Sequence, residues 1–184
     1  PLERGFGLTL GNSIRRILLS SLQGAAITSV KIKGVVHEFS TIPGVKEDLT
    51  DILLNLKSIA VKVHSPGLKK MYLKSSGSGE LRAGNFETDS ETEIMNPNQL
   101  IMTLDSNADI EIEANIETGK GYVSAEVAED ENKIIGEIKL DAMFSPVIKA
   151  SYKVENSRVG QVTDFDKLIF EVETNGAISP DDAI

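Results

Sequence analysis

No cysteine occurs among the 184 residues, which excludes disulfides, thiolate metal sites, iron–sulfur clusters and cysteine nucleophiles and leaves stability to packing. Basic residues are outnumbered: 19 lysines and arginines stand against 28 acids, for a net charge of −9. Nonspecific affinity for a nucleic acid backbone comes from cations that release counterions, so this balance points to protein partners instead. The Lys69-Lys70 and Arg15-Arg16 pairs are too short for a basic stripe, and the aromatics, 5% of the chain, are not interleaved with them as stacking platforms. No apolar run approaches the ~20 residues that span a bilayer. Pro1-Leu2-Glu3-Arg4 carries no basic and apolar leader, so the reading is a soluble, cytoplasmic protein.

Catalytic signatures are missing as well. Gly5, Gly7 and Gly11 miss the dinucleotide fingerprint by one residue and follow no strand, and no phosphate-binding G-x-x-x-x-G-K-[ST] run exists. The two histidines, His37 and His64, lack the paired spacing of a metal site, so no metal or other cofactor is expected. Serines occur without a G-x-S-x-G elbow, and the acids fall on strand faces and turns with no convergent pocket. No catalytic residue is nominated.

What is present reads as α+β. Leu10, Ile14, Ile17, Leu18 and Leu22 recur at helical spacing, with Thr9 as the expected N-cap. Arg15 and Arg16 diverge by about 100°, so at most one lies along the edge of the apolar stripe. Gly11, inside the first turn, costs up to ~1 kcal/mol against alanine, a cost explained by close approach of another backbone. Ile27 to Val36 alternates as a half-buried strand. A second helix is expected with Val45, Leu49, Ile52, Leu53 and Leu56 on one face, Glu47 and Asp48 near its start and Lys57 near its end. Strands follow at Val61 and Val63, Met71 to Leu73, Leu100 to Leu104, Asp109 to Glu117, Ile134 to Leu140, Val147 to Val154 and Leu168 to Val172, with a turn at Ser75 to Gly79. Along Asp109 to Glu117 the period of two puts carboxylates on one face and isoleucines on the other. Ser179-Pro180-Asp181-Asp182 is a helix start, close to where the sequence ends, which suggests a fragment.

The run from Leu2-Glu3-Arg4-Gly5-Phe6-Gly7 through Thr9-Leu10-Gly11-Asn12 to Arg15-Arg16-Ile17-Leu18-Leu19-Ser20-Ser21 resembles the bacterial RNA polymerase alpha subunit family, in its amino-terminal assembly domain. The resemblance continues through His37-Glu38-Phe39-Ser40-Thr41, Glu47-Asp48-Leu49, Leu53-Leu54-Asn55-Leu56-Lys57, Gly119-Lys120-Gly121-Tyr122-Val123, Phe144-Ser145-Pro146-Val147, Asp166-Lys167-Leu168 and Glu173-Thr174-Asn175-Gly176. It is weakest from about Ser65 to Asp105.

That resemblance implies a homodimeric scaffold on which the beta and beta-prime subunits of DNA-directed RNA polymerase assemble for transcription, the nucleotidyltransferase site lying in those larger subunits. It implies two subdomains: a discontinuous dimerisation subdomain of residues 1–22 and 147–184, and an inserted, mainly β subdomain of residues 23–146 carrying one amphipathic helix. Residues after 184 would form a long helix, a linker and a separate DNA-binding domain. By position in the motifs, Arg16 and Leu19 face the beta subunit, with Asp51 and Lys57 nearby. Leu140 and Val147 fall in the region facing beta-prime, although apolar residues there also suit a core. Phe6, Leu10 and Ile17 fall in the dimer interface and are expected to be partly uncovered. Read without the resemblance, Arg16 is a helix-edge arginine whose stem covers apolar surface. Two other readings keep the fold class: an acidic enzyme or ligand-binding domain with a site of scattered carboxylates and histidines, and a dimeric scaffold unrelated to transcription.

Overall fold

Strict alternation from Asp109 onward builds an interior strand of the main sheet. The computed structural model describes residues 2–37, 39–125, 136–160 and 162–184. In chain order these form α1 (Phe6–Ser20), β1 (Gln23–Ile32), α2 (Leu49–Lys57), β2 (Val61–Val63), β3 (Lys69–Ser76), β4 (Gly79–Arg82), β5 (Thr92–Ile94), β6 (Leu100–Leu104), β7 (Asp109–Lys120), β8 (Tyr122–Val123), β9 (Glu137–Lys139), β10 (Ala142–Met143), β11 (Val147–Val159), β12 (Val162–Thr174) and α3 (Pro180–Ala183). The class is α+β, mostly strand. The strand expected from Ile134 begins outside the described residues, and β9 is its described part.

Ile110, Ile112, Ala114 and Ile116 of β7 point into the core while Asp109, Glu111 and Glu117 stay exposed, the two faces that a period of two requires. With partners on both edges, β7 lies inside a six-stranded antiparallel sheet of order β3-β7-β1-β2-β5, in which β9 also pairs with β1. β1 spans residues 23–32 rather than the expected 27–36. A bulge between Ile27 and Ser29 shifts its register against β7, and that extra residue lets Ile27, Val30 and Ile32 all face the core. Beyond the bulge the edge of β1 changes partner, from β2 at Ala25 to β9 at Ser29 to Lys31.

Leu49, Ile52, Leu53 and Leu56 bury one face of α2 in the same core. The helix starts later than expected because the preceding residues are claimed by β6: Val45 bridges to Leu104, and the Glu47 carboxylate accepts from the Thr103 N–H at 2.7 Å and its hydroxyl at 2.8 Å. Burial pushes the Glu47 carboxyl up, but the two Thr103 hydrogen bonds outweigh it and hold the group below its ordinary value.

A second cluster of buried side chains gathers the two ends of the described chain. Leu18 of α1 packs with Val147 and Ala150 of β11 and Ala183 of α3, and Ile14, Leu19, Leu22, Phe170, Val172 and Ile178 lie against them. β11 and β12 form one long hairpin, each strand running well past its expected apolar stretch into polar residues. α3 starts as the sequence predicts, with the Ser179 hydroxyl accepting from the Asp182 N–H and Pro180 in the first turn.

Candidate subunit interface

The face that α1 presents outward is fixed by what its inward face lacks. Gly7, Gly11, Ile14 and Leu18 line the side toward the β11–β12 hairpin. A Cβ on Gly11 would stand 2.4 Å from the Tyr152 ring, and one on Gly7 would stand 2.8 Å from a Val154 methyl. The close approach expected at Gly11 therefore exists, made by an aromatic side chain and not by another backbone. Tyr152 packs in turn against Phe170, ring centres 5.8 Å apart.

With glycine on the inward line, the expected apolar stripe splits. Ile14 and Leu18 turn inward and Leu22 packs beside them, while Phe6, Leu10 and Ile17 are left 54%, 37% and 53% exposed along another line of the helix. A row of large apolar side chains facing water on a rigid element is the surface signature of an interface.

The helix start is not Thr9. The N-cap is Gly5, in the left-handed region that glycine adopts without strain, and no side chain of its own caps the helix. The cap comes from the far end of the chain. The Asp166 carboxylate, on β12 and buried, accepts the N–H of Gly5 at 2.9 Å and of Gly7 at 3.0 Å. Leu2 and Asp166 also exchange both backbone hydrogen bonds as an antiparallel bridge. A negative group at a helix N-terminus meets unpaired N–H donors and the positive end of the dipole. The sequence marks Asp166 only by its place in a motif; nothing local foretells a cap for a helix at the opposite end of the chain.

The paired arginines separate as their spacing requires. Arg15 takes the edge, its Nε donating to the Ala150 carbonyl at 3.0 Å, and Arg16 points away from the hairpin into solvent. Among the described residues the Arg16 guanidinium has no hydrogen-bond or ion-pair partner. Leu19 is half-buried beside it. On α2, Asp51 is exposed in the first turn, and Lys57 donates to Asp141 at 3.1 Å. The Ala125 N–H first, and Lys57 second, hold the Asp141 carboxyl below its ordinary value.

Two expected contact residues are not at the surface. Leu140 is 7% exposed within the sheet core and Val147 is 4% exposed within the cluster around Leu18, because each stands at an inward register position where the chain passes between the two cores. Their side chains are part of the two cores.

The His37 ring lies tilted beside that of Phe39, centres 6.5 Å apart, and His64 lies 3.9 Å from Glu93 on an exposed edge. Among the described residues no group of three or more histidines, aspartates or glutamates is placed to hold a metal. A cleft of about 400 Å³ between the cores contains one acid, Asp182, which accepts the Ser179 hydroxyl at 2.6 Å. No pair of facing carboxylates forms there. Among the described residues no helix is long and apolar enough to cross a membrane.

The family model described as RNA polymerase Rpb3/RpoA insert domain matches residues 30–145, which takes in α2, β2 to β10 and the end of β1 and is well over half of the chain. On that match this chain belongs to the RNA polymerase Rpb3/RpoA insert-domain family, as the amino-terminal domain of an alpha subunit.

Proposed function

We propose that this chain is the assembly platform of DNA-directed RNA polymerase, a homodimer that recruits the beta and then the beta-prime subunit and carries no catalytic residue itself. The observation that carries the reading is the split face of α1: glycines inward, and Phe6, Leu10 and Ile17 outward. The proposed occupant of that outward row is a second copy of the chain, related by a two-fold axis so that the same stripe is used twice. Residues 1–22 with 147–184 form the dimerisation subdomain in this reading, and 23–146 the inserted one. The separate cluster of Leu18, Val147, Ala150 and Ala183 supports that division.

The magnitude sets the strength expected. A fully buried side chain of this size contributes roughly 1.5–3 kcal/mol, so covering the exposed half of three of them in each copy contributes roughly 4–9 kcal/mol. That only matches the lower range of the association cost, ~4–15 kcal/mol. The stripe alone therefore makes a weak dimer.

Arg16 and Leu19 on α1, with Asp51 and Lys57 on α2, are proposed to meet the beta subunit. The exposure of Arg16, and its lack of a partner among the described residues, support this, since such a guanidinium retains its donors for a partner. The region around Phe144 is proposed to face beta-prime through its outer surface, with Leu140 and Val147 buried beneath it. A net charge of −9 favours protein contacts over nucleic acid, and a bacterial cytoplasm is the proposed setting.

The test is gel filtration of reconstituted mixtures. Arg16→Ala in the full-length subunit should weaken capture of beta while the alpha dimer persists, because loss of a buried interfacial arginine costs several kcal/mol. Capture at wild-type concentrations would make Arg16 a surface residue only and remove the main contact from the proposal.

A further inference from the structure

The chain passes between its two cores twice. The first passage runs from Leu22, packed on the Leu18 cluster, to Ala25, packed on the sheet core; the second runs from Leu140, in the sheet core, to Val147, in the Leu18 cluster. Phe144, in the second passage, is 5% exposed and belongs to neither cluster.

It sits in a socket made of two glycines. Gly24, in the first passage, and Gly119 are register partners across β1 and β7. A Cβ on Gly24 would stand 1.9 Å from the Phe144 carbonyl oxygen, and one on Gly119 would stand 2.7 Å from the Phe144 ring. Neither glycine has a positive φ, so the requirement is for space and not for backbone freedom. Hydrogen bonds tie the second passage on all sides: Phe144 N–H to the Gly121 carbonyl at 2.8 Å, Leu140 N–H to the Thr28 carbonyl at 2.8 Å, and Asn175 N–H to the Pro146 carbonyl at 2.9 Å. The cleft of about 400 Å³ opens beside the socket, lined by Gly24, Thr118 and Pro146 together with Ile178, so the cores are not closely packed there.

We infer that the Gly24–Gly119 socket and Phe144 are the joint that holds the two cores in one orientation. Arg16 and Leu19 ride with the cluster around Leu18, and Asp51 and Lys57 ride on α2 with the sheet core. A partner that touches both sets reads the angle between them, so the three joint residues position the beta-binding surface without touching beta. That consequence rests on the proposed function; the joint does not.

The absence of cysteine makes the joint measurable. Asn12→Cys on α1 and Asn107→Cys in the turn before β7 place spin labels at exposed positions on the two cores. Labelled chains diluted into unlabelled ones report the distance within one protomer by pulsed electron resonance. The unsubstituted joint should give one narrow distribution. Gly24→Ala should displace it, because backbone must move, and Phe144→Ala should broaden it, with far-ultraviolet dichroism unchanged in both. If Gly24→Ala does not fold, Phe144→Ala decides alone, since it introduces no clash. Distributions that stay narrow and unmoved overturn the joint. Capture of beta should weaken in step: if the competent orientation falls to about one molecule in ten, the apparent affinity falls about tenfold. A displaced distribution with undiminished capture overturns the positioning role. Failure of the unsubstituted chain to capture beta refutes the proposed function instead and leaves the distance measurement standing.

Discussion

Removing the Asp166 carboxylate should loosen α1 from the rest of the protein, and the size of the effect follows from two hydrogen bonds. Gly7 is buried, so in Asp166→Ala its N–H is left without a partner and without water, a loss of ~1–3 kcal/mol. Gly5 is exposed and its N–H regains water, so it adds little. The missing negative charge at the helix N-terminus contributes ~0.3–1 kcal/mol more. The total is about 1–4 kcal/mol, a large share of the 5–15 kcal/mol that holds a typical domain. Asp166→Asn keeps an acceptor oxygen and loses the charge, so it should cost about 1–2 kcal/mol, the difference between charged and neutral hydrogen bonds. Because the protein has two separate cores, a single unfolding midpoint can average over two events, and amide hydrogen exchange is the sharper assay. Protection of α1 amides should fall by the stated amounts in the order Asn, then Ala, while β7 amides hold their wild-type protection. An Asp166→Ala protein within about 0.5 kcal/mol of wild type in α1, or an Asn variant worse than Ala, would refute the capping argument.

Gly11→Ala removes a helix-propensity penalty of up to ~1 kcal/mol but drives a methyl into the Tyr152 ring, an overpacking cost of ~1–3 kcal/mol. Urea denaturation should show net destabilisation, and Gly11→Ala with Tyr152→Ala should recover part of it; a stabilised single variant would mean that Tyr152 yields freely. Glu47 is held below its ordinary pKa, so its folded value lies under its unfolded one. Its contribution is therefore complete above the ordinary glutamate value, about 4.3, and is lost as pH falls from there through the lower folded value. Glu47→Gln should weaken stability by ~1 kcal/mol at neutral pH and flatten the acid limb of the stability curve, and an unchanged acid limb would show that Glu47 does not carry it. DNA titrated at low salt, read by fluorescence anisotropy, should give no salt-dependent binding to this segment; a micromolar dissociation constant that weakens with salt would contradict the charge argument.

Periodicity revealed the elements whose burial alternates cleanly. β7 and the buried face of α2 are legible because Ile110, Ile112 and Ile116, and Leu49, Ile52 and Leu56, each repeat at the period of their element. β4, β5, β8 and β10 were missed because two to four residues are too few to establish a period. The far halves of β11 and β12 were missed because their residues are polar, as a hairpin extending beyond its core allows. The bulge in β1 explains the wrong boundary there: Ile27 and Val30 share a face only because one residue is looped out, and no local residue type announces that. In the candidate interface, the motif nominated Arg16 and the outward row, which are exposed, but helical periodicity alone put Leu10 and Ile17 on the same packed face as Leu18. The glycines decide otherwise, since Gly7 and Gly11 let Tyr152 and Val154 take the ground that larger residues would have filled. Asp166 acts on Gly5 and Gly7, and Phe144 on Gly24, each more than a hundred positions away, which no window along the chain can relate.

The assembly role is tested most directly by tagging the protein in its host and identifying what copurifies. The account predicts that beta and beta-prime are recovered in fixed proportion to an alpha dimer, and that Arg16→Ala loses both while remaining dimeric. Recovery of the tagged protein without either large subunit, under conditions where it is folded, would contradict the account.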